Sequence, residues 1–208
     1  MKSLLIGCLA FFALCAPAHG APPDTCLAQI SAAIDNADAD AFQQAIDMDA
    51  LLNNSLDLWL RQAQNGDAAV SPVLGLLLSQ LNTEGGQAIR NMLFQAAKAF
   101  VLNGVSSGAF AGRQPDPHQS RNILGTLFAN ASLGRKEIRG AGEPAPSGSG
   151  WLMPFSLHDY GNGSDYLIVG RFEPANASAR LVGIENLELL FGQIQKEAEG
   201  NEPGMILP

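Results

Sequence analysis

The sequence predicts an α+β fold, a helical N-terminal half packed on a C-terminal antiparallel sheet of three to four strands. Three observations carry this. Apolar residues recur at helical spacing over 24–133 and mostly at strand spacing over 135–190. The break between the two patterns falls once, so the order is helices and then sheet. After an N-terminal export segment the 188 remaining residues suffice for one domain with a real core.

That export segment is "MKSLLIGCLAFFALCAPAHG": one lysine, an apolar run, and small residues at its close. It reads as a secretory signal over 1–20, cleaved near Gly20, because the run is shorter than the roughly 20 residues that span a bilayer. "LIGC" at 5–8 has the letters of a lipid-attachment box, but too little apolar sequence precedes it to favour acylation of Cys8. Cleavage removes Cys8 and Cys15 and leaves Cys26 alone. No internal disulfide can then form, and the domain at 21–208 must be held by its core. Cys26 falls on the first helix, where a buried apolar role is the default and a cross-linked dimer the sharper alternative.

Each helix has its own grammar. Leu27, Ile30 and Ile34 form one stripe, and Asp40 to Gln43 reads as a cap with its reciprocal partner, opening a short helix with Phe42, Ala45 and Ile46 inward. Met48, Leu52, Leu56, Trp59 and Ala63 make a longer stripe. Ser71-Pro72 starts a nearly all-apolar helix through 73–81, which is either buried or offered to a partner or membrane surface. Ile89, Leu93, Ala96 and Phe100 share a face, with Met92 beside them, and that helix is read to stop at Asn103-Gly104. A Gly- and Ser-rich loop follows. Asp116-Pro117-His118-Gln119 repeats the capping grammar and begins the last helix of this half, with His118 solvated in its first turn.

Strand patterning begins at "RKEIRGAG", whose Arg135, Lys136 and Arg139 read as a solvated edge. "GAGEPAPSGSG" has a linker's composition and reads as a long loop inside the domain, the best candidate for a mobile flap. Asn162-Gly163 within "HDYGNGSDY" is a strong hairpin signal. As a two-residue turn it would oppose Asp159 to Tyr166, His158 to Leu167, Phe155 to Gly170 and Met153 to Phe172. By the pleat, Trp151, Met153, Phe155 and Leu157 share an apolar face with Ile168 and Phe172, while His158 looks the other way with Ser156, Tyr160, Val169 and Arg171. A third strand, "ARLVGIENLELL", carries a bulge or bend at Gly183, and "FGQIQKEAEG" closes as a short helix or frayed tail.

The function classes narrow by exclusion. Without Lys2 the chain has 11 basic against 20 acidic residues, near −9, so nucleic acid is a poor partner. No phosphate loop, nucleophile elbow, zinc motif or paired-cysteine site appears. No metal and no cofactor is expected, since two histidines in different elements and one cysteine do not make a site. The acidic run "DNADAD" leads into a helix and reads as caps, not a calcium loop. Four N-x-S triplets, at Asn53, Asn130, Asn162 and Asn176, would accept glycans in a eukaryotic route, but composition leans bacterial. One pair remains: Asp159 and Tyr166 at the tip end of the apolar face form the candidate ligand-binding site, or a structural rim pair.

"AAIDNADADAFQQAIDMDALLNNSLDLWL" resembles the opening of an uncharacterised family of small exported bacterial proteins, and "GRFEPANASARLVGIENLEL" is similar to that family's closing strands. The order of elements also looks like the cone-shaped nuclear transport factor two-like folds. The resemblance implies an α+β fold and brings no catalytic residues. The expected function is therefore an exported, periplasmic or secreted, non-enzymatic binding or protein-interaction module. Its partner would be an unknown protein or a small apolar ligand, in a core opening near Asp159 and Tyr166, and its oligomeric state is open. The alternatives are a small hydrolase or isomerase using Asp159 and Tyr166 as acid and base, and an envelope protein held at the membrane surface through 73–81.

Overall fold

The computed structural model describes residues 22–65, 79–80, 85–113, 133–175 and 178–200. The signal segment, the 73–81 helix apart from residues 79–80, the His118 helix, Asn130, Asn176 and the tail after 200 lie outside them. The described chain is α+β, with helices mostly in the first half and an antiparallel sheet in the second.

Helix α1 (Pro23–Asn36) buries Leu27, Ile30 and Ile34 as its stripe requires, together with Cys26 and Ala33. It stops at Ala37, whose left-handed φ of 58° lets its amide and that of Asp38 turn back onto the last carbonyls. So abrupt a stop leaves Asp38 already extended, and its carboxylate caps α2 (Ala39–Ala45) by accepting from Ala41 N at 2.9 Å. The cap is thus two residues earlier than Asp40, which lies instead in the first turn, where its charge suits the positive end of the helix. Phe42, Ala45 and Ile46 are buried.

Asp47 accepts from Ala50 N at 3.1 Å and opens α3 (Met48–Asn65). Met48 joins the main core, whereas Leu56, Trp59 and Ala63 pack around Leu60 and Leu93 in a small second core against α4 (Gly86–Ser106). Helix α4 does not stop at Gly104. It runs to Ser106, and Gly104 is the bare seat on which the Phe110 ring lies: a Cβ there would stand 2.3 Å from Phe110 Cζ. Phe110 reaches it from a 3-10 turn at Ala109–Ala111, within a segment whose composition reads as loop.

The sheet comprises β1 (Lys136–Ala141), β2 (Ala145–Ser147), β3 (Gly150–Asp159), β4 (Ser164–Ala175) and β5 (Ser178–Ile184), all antiparallel, in the order β1-β3-β4-β5. The short β2 pairs with the start of β3 while β1 pairs with its end, so the sheet is four strands wide. This corrects the flap. The linker-like stretch is stitched along β3, with Gly142 N donating to Pro154 O at 2.8 Å and Pro146 opposite Trp151. Proline fits there because an edge strand needs no donor on its outer side.

Irregularities fall at the glycines. Gly140 is the extra residue between Arg139 and Ala141 in β1, and Val182, beside Gly183, is the extra one in β5. Beyond Ile184 the "ENLELL" stretch is not strand: α5 starts at Leu187 and runs to Gly200. It covers the length of β4 that β5 leaves behind. Asn186 takes the part of a strand there, its side chain accepting from Val169 N at 2.8 Å and donating to Leu167 O at 2.7 Å, and Gln193 donates to Asp165 O at 3.1 Å.

At the far border the link between α2 and α3 bridges β5, with Ile46 opposite Leu181 and Asp47 N donating to Leu181 O at 2.8 Å. Arg180 fastens this link, donating to the carbonyls of Gln43 and Ile46. On the inner face Met153, Phe155, Ile168, Phe172 and Leu181 meet α1 and α2 in one dry core. Each such side chain contributes on the order of 1.5–3 kcal/mol on leaving water.

Candidate functional site

The hairpin joining β3 and β4 is built differently from a two-residue turn. Asp159 pairs with Ser164, His158 with Asp165, Leu157 with Tyr166, Phe155 with Ile168 and Met153 with Gly170. The loop is four residues, 160–163, and only Gly163 takes a left-handed φ, at 77°. Two side chains fold it: Asp159 Oδ1 accepts from Gly161 N at 2.8 Å, and Asn162 Oδ1 accepts from Ser164 N at 3.0 Å. Gly163 N closes the reversal onto Asp159 O at 2.7 Å. The register is therefore two residues away from the predicted one. A shift of two keeps every side chain on its face. His158 and Asp159 do look to opposite sides, but Asp159 and Tyr166 are not directly opposed.

Asp159 is 7% exposed and faces inward. Its Oδ1 lies 2.7 Å from Nζ of Lys136, its register partner on β1, and that ammonium stands 5.3 Å from the centre of the Phe110 ring. Lys136 is thus no solvated edge residue. Burial pushes its pKa below the ordinary lysine range, opposed by the hydrogen bond and charge of Asp159. The residues flanking it, Arg135 and Arg139, do stay in solvent.

Tyr166 donates to Glu197 Oε2 of α5 at 2.6 Å and accepts from Asn162 Nδ2 at 2.7 Å. Burial, then the bond to Glu197, raises its pKa. Burial also pushes the Glu197 carboxyl up, but hydrogen bonds from Tyr166, Gln193 and Ser164 outweigh it and leave that carboxyl below its usual range. So the candidate pair splits into two linked pairs, Asp159 with Lys136 and Tyr166 with Glu197. Lys136 and Glu197 come from distant elements, and no spacing in the sequence announces them. These four side chains cap the inner face at this end of the sheet.

On the outer face, His158 Nδ1 lies 2.8 Å from Asp165 Oδ1, and its ring meets Tyr160 edge-on at 4.5 Å. The guanidinium carbons of Arg135 and Arg139 stand 5.1 and 5.3 Å from the Tyr160 ring centre. Tyr160 donates to Glu137 Oε2 at 2.6 Å and accepts from Arg139 at 2.8 Å; the Tyr160 bond, then that from Arg139 Nε to the same oxygen at 3.1 Å, hold the Glu137 carboxyl below its usual range. Both signs of charge are matched within the cluster. Arg171, on the same face, pairs instead with Glu185.

An open groove of about 570 Å³ lies between α3 and the turn from β5 into α5. Asp57, Arg61, Arg171, Glu185 and Glu188 line it with both signs of charge, and Leu189, 75% exposed, stands at its rim. Among the described residues no group of three or more His, Cys, Asp or Glu is placed to hold a metal ion, and no helix is long and apolar enough to cross a membrane. Cys26 is fully buried, its thiol donating to Ala45 O at 3.4 Å, and burial pushes its pKa up to about 11. No protein-family model, curated protein or solved structure matches the chain.

Proposed function

We propose that the chain is an exported, non-enzymatic binding or protein-interaction module, and that its contact surface is the groove between α3 and the β5 to α5 turn instead of the hairpin tip. One observation carries this reading: the carboxylate and the hydroxyl that an acid and base pair would use are buried and already bonded within the protein. Asp159 Oδ1 is engaged by Lys136 and Gly161, and the Tyr166 hydroxyl by Glu197 and Asn162. A general base has to reach a substrate proton directly or through one water. A carboxylate 7% exposed beneath an ammonium has no such reach.

The groove offers the opposite surface, open, charged in both signs and edged by an exposed leucine. That mixture suits a polypeptide segment with polar and apolar side chains better than a small apolar ligand. Export rests on the residues of the signal segment, and kinship with the exported bacterial family belongs to the same proposal.

The test is site-specific photo-crosslinking in the native host, with the probe at Leu189 or at Tyr160. Adducts from Leu189 that disappear on Arg61→Glu support the groove. Adducts from Tyr160 alone return the site to the hairpin. An Asp159→Asn variant that folds normally yet loses a hydrolytic or isomerase activity sinks the non-enzymatic reading, and sedimentation of the mature protein with lipid vesicles would favour membrane attachment through 73–81.

A further inference from the structure

Asn162-Gly163 shapes the hairpin, but the same dipeptide carries its own chemistry. The main-chain nitrogen of a residue after asparagine can attack the side-chain Cγ, and glycine, having no Cβ, obstructs that approach least. In balance, a bond forms from Gly163 N to Asn162 Cγ, the bond from Cγ to Nδ2 breaks, and ammonia leaves with the proton from Gly163. Water then opens the imide on either side to give aspartate or isoaspartate. The net reaction exchanges NH2 for OH, needs only water and transfers no electrons.

The fold engages every participant in a hydrogen bond that this path disturbs. Gly163 N donates to Asp159 O at 2.7 Å. The Asn162 carboxamide is gripped at both ends, Oδ1 by Ser164 N at 3.0 Å and Nδ2 by Tyr166 Oη at 2.7 Å and Glu197 Oε2 at 3.4 Å. Attack by Gly163 N forfeits its bond to Asp159 O, and the bonds on Asn162 oppose rotation of its carboxamide. Glu197 arrives from α5, 35 residues further on, so the latch is tertiary and depends on that helix being docked.

Conversion would also destroy the latch. The donor at Nδ2 becomes a carboxylate oxygen beside Glu197, whose own carboxyl is held charged by its hydrogen bonds, and the single proton of Tyr166 cannot serve both. Isoaspartate further lengthens the main chain inside a four-residue turn. We propose that Asn162-Gly163 is a latent deamidation site latched by α5, and that its conversion releases that helix from the sheet.

The experiment is incubation of the full mature chain at mildly alkaline pH, with aspartate and isoaspartate at 162 quantified by peptide mapping. The folded protein should convert about tenfold or more slowly than the same chain in denaturant, as expected for a site reached only by local opening. Glu197→Ala and Tyr166→Phe should each speed conversion several-fold while circular dichroism stays native. In Asn162→Asp, amide exchange in α5 should rise while that of β3 and β4 holds. Equal rates for folded and denatured wild type overturn the latch without need of any variant. Unchanged rates in both variants remove α5 from it, and unchanged exchange in Asn162→Asp overturns the release.

Discussion

The inner face of the sheet has two ends that differ in kind although the same strands build both. At one end Met153, Phe155 and Phe172 lie under α1 and α2 with almost no solvent contact and no polar partner to satisfy. At the other, six residues along β3 and six along β4, the face ends in Asp159 and Tyr166, paired to Lys136 and Glu197. The apolar end is held by shape and removal from water; the polar end is held by one ion pair and one charge-assisted hydrogen bond. Missing volume harms the first in proportion to the space left empty. A missing partner harms the second by stranding a charge or donor.

The comparison can be broken by removing one group at a time. Phe172→Ala should lower stability by about 3–5 kcal/mol in denaturant unfolding, the range for a large aromatic lost from a packed interior; a loss under about 1 kcal/mol would deny that this end is close-packed. Asp159→Ala should cost about 3 kcal/mol by leaving the Lys136 ammonium buried alone. Adding Lys136→Met should recover most of that loss, and simple additivity of the two changes would show that the ions do not act as a pair.

A third measurement sharpens the contrast through pH. The Cys26 thiol is raised in the folded chain from its ordinary 9.0 to about 11, so the unfolded chain ionises first as pH rises. Its contribution is fully present below pH 9 and lost as pH climbs through 11, about 2–3 kcal/mol at 1.36 kcal/mol per unit. Subtracting the alkaline unfolding profile of Cys26→Ala isolates that slope. Tyr166, raised, and Lys136, lowered, are common to both proteins and cancel. The smallest effect is expected for Tyr166→Phe, about 1 kcal/mol for one partly buried hydrogen bond.

Periodicity alone made the order of helices and sheet legible, and the pleat assigned Met153, Phe155, Ile168 and Phe172 to one face and His158 to the other. The pairing across the hairpin was not legible. Asn-Gly fits a turn with both residues left-handed, but it also fits a longer loop in which glycine alone is so, and the side chain of Asp159 selects the second. The error of two residues leaves faces intact and moves partners, which is why the split between His158 and Asp159 survives while the direct opposition of Asp159 and Tyr166 does not. Lys136 and Glu197 escaped for another reason: local spacing reports neighbours along one element, and these two arrive across 23 and 31 residues. The linker-like run at Gly140 to Gly150 misled through composition, since an edge position tolerates the proline and glycines that would disrupt a central strand.

The parallel bridge between Ile46 and Leu181 has a colloidal consequence. With Asp47 and Arg180 at the border of β5, an incoming chain finds the ladder interrupted at Leu181 and a charged pair beside it. That single bridge and its charges hinder strand addition at the middle of β5, the step by which folded domains stack edge to edge.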